Sequence, residues 1–147
     1  MIPLPDLQIY LQPHMTLIFG SLVFSARRSE RITLLLRELH WLRVPERVTF
    51  RLCVLAYRCL HGTAPAYLAE SLHRTSDDDT RRRLRSADSA MLVVPSTRRS
   101  TLGDRAFPVA SARAWNSLPS SVSNAPLLTT FRSQLKTVLF WSSFDND

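Results

Sequence analysis

The sequence predicts a mainly α fold with a short β-hairpin, an α+β arrangement. Apolar residues recur at helical spacing in several separate stretches. Proline and glycine stand where helices should begin and end. One short apolar run, AMLVVP at 90–95, closes on a proline as a strand does.

Residues 27–42, RRSERITLLLRELHWL, read as the first helix. Ser29 can cap it, Glu30 suits the positive end of the helix dipole, and Ile32, Leu35, Leu36 and Leu39 form the stripe. Pro45 opens a second helix over 46–61. Val48, Leu52, Leu55, Ala56, Cys59 and Leu60 make one apolar face, and Phe50 and Val54 a second, so burial on most sides is expected. Gly62 should end this helix and Pro65 block its continuation, giving an αα-hairpin. A short helix is expected within 64–72. The polar run at 74–88 reads as a loop in which Asp77, Asp78 and Asp79 face Arg81, Arg82, Arg83 and Arg85.

After the strand at 90–95, Arg98 and Arg99 sit at a turn, and 100–102 can pair back as the second strand of the hairpin. The stretch GDRAFPVASARAWNSLP, 103–119, reads as a helix. Asp104 can cap it and Pro108 is tolerated in the first turn, where an N–H has no partner anyway. Phe107, Ser111, Ala114, Trp115 and Leu118 share a face, with Phe107 and Trp115 as packing anchors. Ala110, Ala112 and Ala114 admit a close neighbour. Pro119 stops the helix, and Asn116 beside the stop can satisfy loose backbone groups. Trp115 reads as core; the alternative is a base-stacking platform. A last helix spans 129–140, capped by Thr129 or Thr130, with Phe131, Leu135 and Leu139 as its stripe. Residues 141–147 read as a frayed tail.

The first 26 residues form an atypical N-terminal segment. Their apolar run at 15–26 is too short to span a bilayer, and no Lys or Arg precedes it as in a signal peptide. It reads as a buried strand or short core helix.

A chain of 147 residues is one domain by length, and 45% hydrophobic content argues for a packed core. Nineteen basic against twelve acidic residues leave a net charge of +7, a field that attracts polyanions, nucleic acid before anionic membrane. Lys136 is the only lysine. Arginine's planar fork grips phosphate in two places and stacks on bases; the plainer reading is that the arginines are merely solvated. Cys53 and Cys59 fall on different faces of one helix, so they read as core thiols in a reducing, intracellular compartment, nucleus or cytoplasm.

Nothing in the chain reads as catalytic. Its three glycines cannot form a dinucleotide or phosphate loop, there is no nucleophile elbow, and His14, His40, His61 and His73 lack metal-ligand spacing. No cofactor, metal site or small-molecule substrate is expected, and no membrane partner.

Four strings carry a resemblance: LRELHWL (36–42), RVTFRLCVLAYRCLHGTAPAYLAE (47–70), LVVPSTRRSTLGDRAFPVASARAWNSLP (92–119) and FRSQLKTVLF (131–140). In order and spacing they resemble the C-terminal tail of reverse transcriptases encoded by non-LTR, LINE-type retrotransposons of animals, over 27–140. The polymerase palm motif of that family lies upstream of this tail and is missing here, so the resemblance implies a small helical accessory domain without RNA-directed DNA polymerase activity. It implies packing on a polymerase domain and help in holding RNA or DNA; from the charge runs themselves, Arg81, Arg82, Arg83, Arg85, Arg98 and Arg99 are the expected phosphate contacts. Arg43 stands where the family often has proline, and 1–26 does not resemble the family's upstream sequence. These departures suit an orphan remnant of a mobile element. The competing expectations are a protein-docking module and a fragment without function.

Overall fold

The computed structural model describes residues 32–77 and 91–144. Among these residues it is mainly helical, with seven α-helices: α1 (Ile32–Glu38), α2 (Val44–Leu60), α3 (Ala66–Ala69), α4 (Ser100–Gly103), α5 (Phe107–Asn116), α6 (Ser120–Ser123) and α7 (Leu128–Phe144). The segment 1–26, the Ser29 cap and residues 145–147 lie outside the described residues. Where length predicts one domain, the chain divides into two compact units. One comprises the residues up to Val48 together with those from Lys136 onward; the other is Thr49–Leu135.

In the first unit, α1 stops at Glu38 rather than reaching residue 42. His40 adopts φ 52°, its N–H donates to the Arg37 carbonyl (3.1 Å) and the Trp41 N–H donates to the Leu36 carbonyl (2.7 Å). This is a Schellman ending with histidine where glycine is usual. It turns the chain so that Trp41 and Leu42 both become buried. In the same unit the His40 ring stacks on Phe140 (5.3 Å between centroids), Phe140 meets Phe144 (4.8 Å), and the Arg43 guanidinium lies 4.9 Å over the Phe144 ring. Arg43 thus contributes a cation–π contact. Phe144 and Ser143 are buried within α7, so 141–144 continue the last helix instead of fraying.

The second unit is built on the remainder of α2. Pro45 stands in that helix's first turn and Gly62, at φ 66°, closes it with a second Schellman ending: the Thr63 N–H donates to Arg58 O (2.9 Å) and the Gly62 N–H to Cys59 O (3.3 Å). The buried stripe runs through Phe50, Cys53, Ala56, Tyr57 and Cys59. Val48, expected on the main apolar face, is 54% exposed. The shift follows from Tyr57, whose ring enters the core because its hydroxyl can donate to the Ala125 carbonyl (3.0 Å). Phe131 of α7 stacks on Tyr57 (4.6 Å) and on Trp115 of α5 (5.7 Å), so three rings from three helices form the centre. Cys53 and Cys59 are buried free thiols, as their spacing predicts.

The expected β-hairpin does not form among the described residues. Residues 100–102 turn into α4, with the Gly103 N–H donating to Arg99 O (2.7 Å). Leu92 instead bridges Arg74 in antiparallel sense, flanked by Thr75 N–H to Met91 O (3.0 Å) and Val93 N–H to His73 O (2.9 Å). The other edge of Leu92 is occupied by a side chain. The Leu92 N–H donates to Asn116 Oδ1 (2.8 Å), and Asn116 Nδ2 donates to the Leu92 carbonyl (2.9 Å). An amide side chain replaces the second strand.

Candidate nucleic-acid interface

The arginines of interest are positioned by the link between Thr97 and α5. Gly103 lets Thr97 come close: a Cβ on residue 103 would stand 2.5 Å from the Thr97 Cβ. Thr97 Oγ1 then donates to Asp104 Oδ1 (3.3 Å), while Asp104 Oδ2 pairs with Arg113 Nη1 (3.1 Å). Hydrogen bonding from the Arg113 guanidinium, helped by the Thr97 hydroxyl, holds the Asp104 carboxyl below its ordinary value. Asp104 is therefore not the cap of α5. The N-cap position is Ala106, without a side-chain hydrogen bond, and Pro108 stands in the first turn. A carboxylate drawn onto Arg113 has no free oxygen to turn back on the first helical N–H groups.

Arg98 and Arg99 are exposed. The carboxylate nearest to them in sequence, Asp104, is engaged by Arg113, and neither arginine pairs with a carboxylate among the described residues. Arg105, also exposed, was hidden in the sequence by its neighbour Asp104, which looks like its partner and is not. Arg74 is exposed as well, placed by its bridge to Leu92. Arg81, Arg82, Arg83 and Arg85 lie outside the described residues.

Of the two packing anchors, Trp115 is 3% exposed inside the ring cluster, and Phe107 is half-buried at the start of α5, its carbonyl accepting from the Ser111 hydroxyl. A tryptophan so enclosed serves the core rather than an open base-stacking platform. Val109 and Ala112, absent from the expected face, are more deeply buried than Ala114.

Charge divides unevenly between the units. Thr49–Leu135 holds twelve arginines against six carboxylates, while the first unit holds seven cations against six. Almost all the net charge therefore belongs to the unit that carries Arg98 and Arg99. Among the described residues no helix is long and apolar enough to cross a membrane, and no three His, Cys, Asp or Glu residues are grouped to hold a metal ion. Comparison with protein families, curated proteins and solved structures finds no match for the chain.

Proposed function

We propose that the chain is a non-catalytic, nucleic-acid-binding remnant of a retrotransposon reverse transcriptase, gripping RNA or DNA backbones through arginines of Thr49–Leu135. The observation that carries this reading is that Arg98 and Arg99 are exposed and pair with no carboxylate among the described residues, while Arg113 holds Asp104. A guanidinium that is neither buried nor paired keeps its donors for phosphate. The resemblance supplies the polymerase origin, and the chain's excess of arginine fits it. Arg81, Arg82, Arg83 and Arg85 are proposed, from the sequence, to make contacts of the same kind.

The test is titration of the purified chain with labelled RNA and duplex DNA over a range of salt. Affinity should fall steeply with salt, and Arg98→Gln with Arg99→Gln should flatten the slope on duplex by up to about 2, roughly 0.9 for each phosphate no longer neutralised. Salt-independent binding, or a slope unmoved by the double variant, would remove these arginines from the interface.

A second reading, docking onto a polymerase domain, is favoured by Leu34, Val44 and Val48, exposed apolar residues of α1 and α2. The face of α5 that bears Trp115 is taken up by the core and drops out of that surface. Replacing Leu34 and Val48 by Asp should leave nucleic-acid binding intact and abolish association with a polymerase domain of the LINE type.

A further inference from the structure

The Thr49–Leu135 unit holds a half-open cleft of about 240 Å³ that the arginine surface does not explain. His61, Arg74, Ser123 and Asn124 line it, with Trp115 also contributing to the wall. Each polar group there has capacity to spare. Arg74 is fixed through its backbone by the bridge to Leu92, and its guanidinium is exposed and pairs with no described residue. The Asn124 side-chain amide likewise engages no described partner, so it offers two donors and an acceptor. Ser123 Oγ donates to Ser120 O (3.3 Å) and keeps its lone pairs.

His61 is the most constrained member. Its Nδ1 lies 2.8 Å from the Tyr57 carbonyl, which can only accept, so Nδ1 carries the hydrogen and Nε2 of the neutral ring is an acceptor. The imidazole stacks on Tyr57 at 3.9 Å and 14°, and Tyr57 is itself held by its hydroxyl bond to Ala125 and by Phe131. One face of the ring is thus covered and its orientation set from below, while the residue remains exposed. A fixed aromatic plate in one cleft with an exposed guanidinium and an exposed amide, neither engaged by a described residue, is the combination that single nucleotides use: stacking for the base, a cation for the phosphate, an amide for base or sugar edges.

We infer that this cleft binds one nucleotide unit, its phosphate on Arg74 and its base against the exposed face of His61, with Asn124 hydrogen-bonding to base or ribose. The volume sets how much of the ligand is enclosed. It falls below the roughly 300–1,000 Å³ of sites that enclose a small molecule, so the cleft covers only part of a mononucleotide or of the last nucleotide of a strand and leaves the rest in solvent. An inorganic anion would engage Arg74 and leave the plate and the amide idle. Neither Arg98 nor Arg99 lines the cleft, so the inference does not depend on the backbone-binding proposal.

Isothermal titration of the full chain with AMP, UMP, adenosine and inorganic phosphate tests it, alongside short oligonucleotides with and without a terminal phosphate. Both mononucleotides should bind, with adenosine and inorganic phosphate each at least about tenfold weaker, as when 1.4 kcal/mol or more is lost with either half. Arg74→Gln, an exposed change that keeps the backbone bridge, should weaken AMP to the level of adenosine. His61→Ala should weaken it toward inorganic phosphate, and Asn124→Ala provides a variant outside the ring stack. Arg98→Gln with Arg99→Gln should leave AMP binding unchanged. If a terminal phosphate strengthens oligonucleotide binding and Arg74→Gln erases the gain, the occupant is a strand end; if only free mononucleotides respond, it is the free nucleotide. Absence of AMP binding, or AMP binding indifferent to both Arg74→Gln and Asn124→Ala, overturns the inference, while the salt slope on duplex judges the backbone proposal separately.

Discussion

Asn116 holds Leu92 by two hydrogen bonds, 2.8 Å from the Leu92 N–H to Oδ1 and 2.9 Å from Nδ2 to the Leu92 carbonyl. A primary amide presents one donor and one acceptor on the same edge, as a peptide group does, so it completes a ladder position that no strand fills. Leu92, 1% exposed, is thereby fixed on two edges, by residues 73–75 on one and by the end of α5 on the other. The WNSLP string is accounted for here: Trp115 enters the ring cluster, Asn116 clamps Leu92, and Pro119 begins the next turn as the N-cap residue of α6.

Removing the clamp leaves two backbone groups of Leu92 without their partner. Asn116→Ala should cost about 1–3 kcal/mol in urea unfolding. Asn116→Asp should cost more, since it sets a carboxylate oxygen against the Leu92 carbonyl. Hydrogen exchange of the Leu92 amide should accelerate in both. Unchanged protection at Leu92 would show that the clamp does not contribute to stability.

Gly103 is required by proximity to Thr97. Gly103→Ala should destabilise the chain by about 1–3 kcal/mol through overpacking. Thr97→Gly removes the atoms that the new methyl would strike, so the double variant should recover part of the loss. A double-mutant cycle on unfolding free energies reads this coupling; strictly additive effects would place the strain elsewhere.

Asp104 links stability to acid. Its folded carboxyl titrates below the unfolded value because Arg113 favours the charged form. The unfolded state therefore binds the proton first, and the contribution is complete above the ordinary value of 3.8 and is lost as pH falls through the folded value. Urea midpoints measured from neutral pH down to pH ~3 should decline less for Asp104→Asn than for the native chain. Equal declines would remove Asp104 from the acid response.

Cys53 reports on unfolding. It is fully buried, and burial pushes its thiol up to about 12, so at neutral pH it is neither charged nor reachable. Alkylation of Cys53 in a Cys59→Ser background should proceed at a rate set by opening of the chain, accelerating with urea in step with the loss of helical signal. Rapid labelling without urea would contradict the burial.

Much of the helical content was legible because its signals are local. Apolar spacing along 44–60 and 128–144, Pro45 and Pro108 in first turns, Gly62 after a last turn and the separation of Cys53 from Cys59 depend on neighbours within a turn or two. The ending of α1 was not legible, because histidine at positive φ carries no glycine signal. The extent of α7 was missed because Phe144 is held by Phe140 and Arg43, and only the latter contact is distant in sequence.

What the amino-acid order determined alone is the helical class, most helix positions and the arginine excess, since each follows from short-range sterics, periodicity or composition. Tertiary structure decided that residues 100–103 coil rather than pair, that Asn116 stands in for a strand, that Asp104 belongs to Arg113 and that Arg98 and Arg99 pair with no carboxylate among the described residues. The physical reason is that a hydrogen-bonding group takes whichever partner folding brings within about 3 Å, and partners far apart in the chain leave no periodic mark on the residues between them.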